Sequence, residues 1–209
     1  MGEKKTLVFS QDWFEITRPT WEKLFLLGQP SRVLEVGSYE GASACFSIRQ
    51  VASFRPLEIH CVDTWEGGID HQEAGVDMVS VYERFQSNTA NMIAGMPHPV
   101  QLTVHKGYSD IELAKLFAEG KSNYFDFIYI DGSHQAPDVL ADAVLGFKLL
   151  KVGGIMGFDD YLWQEELPYG RDPLRTPKIA IDAFTNIYCR KIEFLDAPCV
   201  QVYFRKLAE

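Results

Sequence analysis

The sequence predicts an α/β protein, a doubly wound and mostly parallel sheet of seven strands with an antiparallel hairpin at its C-terminal end. Three observations carry that class. Short apolar runs alternate with helix-patterned stretches, a glycine loop follows the first run, and residues 124–161 read as a complete βαβ unit. In that unit the run Phe125 to Ile130 is apolar except for Asp126, as suits a strand buried on both faces, and Asp131 stops it. Pro137 opens a helix whose apolar residues Val139, Leu140, Ala143, Val144, Phe147 and Leu150 recur with helical spacing. Gly153 and Gly154 are expected to end the helix, and Ile155 to Phe158 form a second strand that stops at Asp159, Asp160 and Tyr161. A right-handed crossover makes the two strands parallel, so Asp131, Asp159 and Asp160 meet on the rim where open α/β sheets bind ligands.

The remaining elements follow in chain order. Residues 1–30 are a leader dense in aromatic and apolar side chains: Phe9, Trp13, Phe14, Trp21, Leu24, Phe25 and Leu26. Thr17 to Pro19 marks a helix start and Gly28 a stop, so this segment is either a cover for the sheet or a flap over the ligand rim. Arg32 to Val36 is the first strand, and the loop Gly37-Ser38-Tyr39-Glu40-Gly41-Ala42-Ser43 leads into a helix reaching about Ser53. Its glycines are four apart, which fits neither a dinucleotide fingerprint nor a P-loop. Phosphate is therefore not its obvious ligand, and Glu35 beside it suits an ammonium group.

Leu57 to Val62 is the second strand, ended by Asp63, with Thr64 and Trp65 next. An acid at that place commonly accepts from ribose hydroxyls, although Asp63 also reads as a turn residue and Trp65 as a core aromatic. Glu66 to Asp77 is a polar loop, and Met78 to Gly95 a helix with Val79, Tyr82, Phe85 and Met92 inward. Val100 to Val104 is the third strand. The turn Lys106-Gly107-Tyr108-Ser109-Asp110 precedes a short helix, Ile111 to Ala118; Tyr108 or Ser109 touches a base, or Ser109 caps the helix. Residues 162–176 form a loop rich in Pro and acidic residues, placed to select substrate. Lys178 to Tyr188 is helical, and Lys191 to Leu195 with Val200 to Phe204 make the closing hairpin.

Composition narrows the function. At 209 residues with 46% apolar content the chain, residues 1–209, is expected to be one domain. A formal charge of −9 disfavours nucleic acid and other large polyanions, and a small or neutral substrate is expected. Met1 to Phe9 holds too short an apolar run for a signal peptide, and no apolar run reaches the roughly 18 residues of a membrane span, so a cytoplasmic protein is expected. Cys45, Cys61, Cys189 and Cys199 show no metal-ligand spacing and read as small core residues; a Cys189–Cys199 disulfide is disfavoured in a reducing cytosol. Oligomeric state stays open, a homo-oligomer included.

Three carboxylates on one rim repel one another unless something compensates. No basic residue lies beside them in sequence, so a hard divalent cation held by oxygens (magnesium, calcium or manganese) is one answer. The other is that Asp131 caps a helix and Asp159 and Asp160 are solvated.

The motifs LEVGSYEG, VDTWEG, YERF, KGYS, FIYIDGSH, LLKVGG and FDDYLW, with DWF and TWEKL near the start, resemble the methyltransferase-24 group of class I S-adenosylmethionine-dependent methyltransferases. These are Rossmann-like, and the group is similar to metal-dependent sugar O-methyltransferases of the macrocin, mycinamicin and novobiocin type. The resemblance implies that Gly37, Ser38 and Gly41 shape a pocket for the cofactor's methionine, with Glu35 acting on its ammonium group. It implies Asp63 for the ribose hydroxyls and Tyr108 and Ser109 beside the adenine, with Ser43, Thr64, Trp65, Gly107 and Asp131 completing the cofactor set. It places magnesium on Asp131, Asp159 and Asp160, and a general base at His134, which otherwise reads as a loop or cap histidine. One related branch carries Glu at the Asp159 position. Two further classes stay in view: a non-catalytic S-adenosylmethionine-binding protein that supports a partner enzyme, and an oxidoreductase with a nicotinamide cofactor, which the glycine spacing disfavours.

Overall fold

The computed structural model describes residues 6–209, apart from the side chain of Asp70. Its strands are β1 (Arg32–Val36), β2 (Leu57–Asp63), β3 (Val100–Lys106), β4 (Phe125–Ile130), β5 (Leu150–Phe158), β6 (Ile192–Leu195) and β7 (Val202–Lys206), in the sheet order β3-β2-β1-β4-β5-β7-β6. β1, β2 and β3 pair in parallel, as do β4 and β5, whereas β7 runs antiparallel to both β5 and β6. The helices are α1 (Trp13–Gly28), α2 (Ala42–Ala52), α3 (Ile69–Glu73), α4 (Met78–Ala94), α5 (Ser109–Ala118), α6 (Ala136–Leu149) and α7 (Lys178–Tyr188). Contacts gather the chain into two units, one ending at Lys106 and the other starting at Gly107. Among the described residues no helix is long and apolar enough to cross a membrane.

In the first unit α1 starts at Trp13 and carries Pro19 inside it, where the sequence places a start. A proline there removes one helical hydrogen bond. Packing outweighs that loss: the Trp21 ring meets Phe14, Phe25 and Phe46 at centroid distances of 5.2, 5.5 and 5.9 Å. Not all of the leader packs, since Leu26 is 78% exposed. The polar loop after β2 contains α3. On α4 the buried residues are Val81, Phe85, Asn88 and Thr89, not Val79. Val79 sits in the first turn, its N–H bonded to the cap carboxylate of Asp77, and points to solvent.

In the second unit the glycine pair has a different use from the expected helix stop. α6 ends at Leu149, and β5 starts at once with Leu150 opposite Phe125; Ile155 then faces Phe127, so residues 151–154 bulge out of the ladder. Gly153 turns the bulge at φ 85°, and a Cβ on Gly154 would lie 3.0 Å from the carbonyl oxygens of Asp126 and Lys151. The bulge also brings Lys151 to the buried Asp126 carboxylate at 2.5 Å. Leu140, expected inward, is 37% exposed. Phe147, Phe158, Phe184 and Phe204 form the core, with centroids 5.8–6.4 Å apart. All four cysteines are free thiols; Cys45 and Cys61 are buried as expected, but Cys189 and Cys199 are exposed because they sit in the turns on either side of β6.

One buried acid makes stability depend on pH. Asp142 on α6 is 1% exposed, and burial pushes its carboxyl up to about 7, opposed by the Ser109 hydroxyl and reinforced by Asp138 and Asp110. The folded pKa lies above the unfolded value, so nothing is lost below about pH 4, stability falls as pH rises toward 7, and the loss is constant above that. Asp142→Asn is expected to raise stability by at most about 4 kcal/mol at pH 8, and by little at pH 4, in denaturant melts.

Candidate active site

The glycine loop of the first unit is tied down by two acids. Glu35, 1% exposed on β1, accepts from the Ser38 hydroxyl at 2.6 Å and from the Ser43 hydroxyl, with the Cys61 thiol at 3.7 Å. Burial raises its pKa against those hydrogen bonds. Asp63 accepts from the backbone N–H groups of Ser38 and Tyr39, both 2.9 Å from Oδ2, and from that of Trp65 at 2.7 Å to Oδ1. A carboxylate thus already fills the N–H cradle that a phosphate would use in other glycine loops. Gly37 and Gly41 turn the loop at φ 85° and 78°, and a Cβ on Gly41 would meet Phe85 at 3.0 Å. Trp65 is buried against Tyr82 and Phe85, as a core aromatic, and its indole N–H donates to the Tyr39 carbonyl at 2.9 Å. Thr64 accepts from the Glu66 N–H.

The leader reaches this loop. Ser10 donates to Glu40 through both its N–H and its hydroxyl at 2.6 Å, and Asn88 binds the backbone of Val8 in both directions at 2.8 Å. Trp13 and His71 each stand 5.3 Å from Tyr39 and 6.3 Å from one another, so the three rings form one cluster. Among the described residues α1 packs on α2, while Val8 meets α4 and Ser10 and Trp13 meet the glycine loop.

In the second unit β4 and β5 deliver their acids to one small pocket, lined by Ile130, Asp131, Ser133, His134, Val139, Phe158, Asp159, Asp160 and Pro177. Among the described residues no Lys or Arg lines it. Asp159 accepts from the Tyr129 hydroxyl at Oδ2 and from the Asp160 N–H at Oδ1 (2.8 Å); burial, then the Asp160 charge, raises its pKa. Asp160 has φ 56°, and its Oδ2 lies 2.9 Å from His134 Nε2. The His134 ring stacks on Trp163 with centroids 3.8 Å apart. Among the described residues no three His, Cys, Asp or Glu side chains are already arranged to hold a metal ion. Nearer the start of this unit Tyr108, 63% exposed, is the N-cap of α5, and Ser109 is its first helical residue rather than a cap.

The methyltransferase domain family matches residues 34–161, from within β1 to the residue after the paired acids. The chain belongs to this family. A curated relative, "Probable caffeoyl-CoA O-methyltransferase 3" from Dictyostelium discoideum, is 26% identical over 135 residues, which are 63% of this chain and 44% of that protein. The chain thus matches less than half the length of that relative. Two crystal structures share the fold: the O-methyltransferase TomG from Streptomyces achromogenes, involved in tomaymycin synthesis and in complex with SAM, and an O-methyltransferase from Bacillus cereus in complex with SAH. The first has TM-score 0.65 and 18% identity over 97% of this chain and 82% of its own; the second has 0.60 and 16% over 98% and 84%.

Seen as a methyltransferase, the chain holds several residues that the sequence did not single out for the site. Trp163 stacks on His134, Tyr129 and Gln201 stand behind Asp159, and Glu40 pins the leader. Only Tyr129 carried a signal, as the one hydroxyl in the apolar run FDFIYI.

Proposed function

We propose that this methyltransferase is an S-adenosylmethionine-dependent, magnesium-dependent O-methyltransferase of a small hydroxylated acceptor such as a sugar or catechol-like diol. The observation that carries it is the pocket in which Asp131, Asp159, Asp160 and His134 converge. The names of the similar proteins, which are O-methyltransferases, support the oxygen nucleophile. In this reading Glu35, Gly37, Ser38, Gly41 and Ser43 serve the cofactor's methionine, Asp63 with Thr64 and Trp65 its ribose, and Gly107, Tyr108 and Ser109 its adenine.

A hard divalent cation fits the pocket by donor chemistry, because three carboxylates line it and, among the described residues, no Lys or Arg does. Asp131, Asp159 and Asp160 would hold it, and it would supply orientation of two neighbouring hydroxyls and a lowered pKa for one of them. The rest of the mechanism belongs to the chain. His134, oriented by Asp160 at 2.9 Å from its Nε2, is the residue that takes the acceptor's proton. Asp160 stabilises the imidazolium that results, and Trp163 fixes the ring plane. A sulfonium methyl is already activated, so placing an ionised oxygen in line with it is the main task left to the protein.

The test is release of S-adenosylhomocysteine from S-adenosylmethionine and a panel of sugar and catechol diols, with magnesium and with excess chelator. Turnover that chelator stops and added magnesium restores is expected. Undiminished turnover in chelator would remove the cation from the reaction, and no turnover on any acceptor, with cofactor binding intact, would leave a non-catalytic cofactor-binding protein.

A further inference from the structure

Asp159 is held from inside the fold by a chain of hydrogen bonds with one direction. The Tyr203 hydroxyl donates to Gln201 Oε1 at 3.0 Å, Gln201 Nε2 donates to the Tyr129 hydroxyl at 2.7 Å, and Tyr129 donates to Asp159 Oδ2. The carboxylate accepts only, so each proton is committed toward it and the order of donors is fixed. Tyr129, Gln201 and Tyr203 are 1%, 3% and 1% exposed.

The sheet is built to allow this chain. Gly157 of β5 is in register with Tyr129 on β4 and with Tyr203 on β7, so a residue without a side chain separates the two tyrosines. The rings close over it at 6.3 Å, nearly parallel, and a Cβ there would lie 2.2 Å from Tyr203. Fold stability alone does not call for such an arrangement, since apolar residues of the same shape pack as well without needing every polar group satisfied. The chain instead ends on one oxygen of a pocket carboxylate.

We infer that Tyr129 and Gln201 are positioning residues that fix the Asp159 carboxylate for the cation, with Tyr203 fixing the Gln201 amide. This rests on the metal-dependent reading above. Outer partners of this kind hold a ligand's rotamer, and their loss typically weakens metal affinity about 10- to 100-fold. Tyr129 engages Oδ2 with a neutral donor, so the charge of Asp159 is kept while its orientation is set.

The experiment titrates Mn²⁺ into the full chain, following free Mn²⁺ by electron paramagnetic resonance, for the wild type, Asp159→Ala, Tyr129→Phe, Gln201→Leu and the double variant. Tyr129→Phe is expected to weaken Mn²⁺ binding about 10- to 100-fold and to lower the melting temperature through the unpaired Gln201 amide, with S-adenosylmethionine affinity close to wild type. Gln201→Leu should act in the same direction, and the double variant at least as strongly as either single variant, because Gln201 bears on Asp159 both through Tyr129 and directly. If Tyr129→Phe fails to fold, Gln201→Leu decides alone. Binding that Asp159→Ala abolishes but that stays within about twofold of wild type in Tyr129→Phe and Gln201→Leu overturns the positioning role and spares the metal reading. Absence of Mn²⁺ binding in the wild type, or wild-type binding in Asp159→Ala, sinks the metal reading and this inference together.

Discussion

Asp160→Ala is expected to reduce kcat by about 10³-fold or more while S-adenosylmethionine still binds. Two losses combine in that one substitution. The pocket loses one of its three carboxylates, and His134 loses the acceptor at 2.9 Å that fixes its tautomer. Glu35, Ser38, Ser43 and Asp63, proposed for the cofactor, keep their hydrogen bonds with one another, which is why binding survives. Asp160→Asn separates the two losses. Its amide oxygen still accepts from Nε2–H, but the charge is gone, so it should fall between wild type and Asp160→Ala. Single-turnover methyl transfer beside equilibrium cofactor binding reads both quantities; retained turnover in Asp160→Ala would assign the proton and the cation to other residues.

His134→Gln removes the base and leaves all three carboxylates in place. A positioned base typically contributes about 10²- to 10⁴-fold, and a fall in kcat of that size is expected with Mn²⁺ affinity little changed. Added imidazole should restore part of the rate if His134 takes the proton. A variant with wild-type kcat would return His134 to the loop residue that its place between β4 and α6 also allows. Trp163→Ala provides a graded companion, because it frees the ring plane without removing the base.

The parts of the fold that were legible are those written in local chemistry. Runs such as RVLEV and FDFIYI are bounded by turn residues, and β1 and β4 have the predicted limits. Acids that end strands are equally local, so the convergence of Asp131, Asp159 and Asp160 could be read from topology alone. Gly153-Gly154 was misread because a glycine pair serves a helix stop and a strand bulge alike; what decides is the Asp126 carbonyl, on another strand, against Gly154. Pro19 was misread for a similar reason, since the aromatic packing that carries the helix past it involves Phe46, well separated in sequence.

The supports of the candidate site were the least legible. Tyr129 and Gln201 are 72 residues apart in sequence, and they meet because β7 inserts beside β5 and Gly157 leaves the space between. A lone glycine in an apolar run hints at a close approach but not at the partner. Asp63 shows the opposite limit. Its place after β2 suggested a ribose partner, and the structure adds a role for the same carboxylate in holding the Ser38 and Tyr39 amides. Those bonds fix the loop, so the acid shapes the cradle.

The most direct test of the account is calorimetric titration of S-adenosylmethionine into the purified chain, once with magnesium and once with excess chelator. Saturable binding at one site under both conditions is the predicted result, because the residues proposed for the cofactor are held by one another and by Asp63 rather than by a cation. No binding under either condition would contradict the assignment of the glycine loop, and with it the proposed methyl transfer.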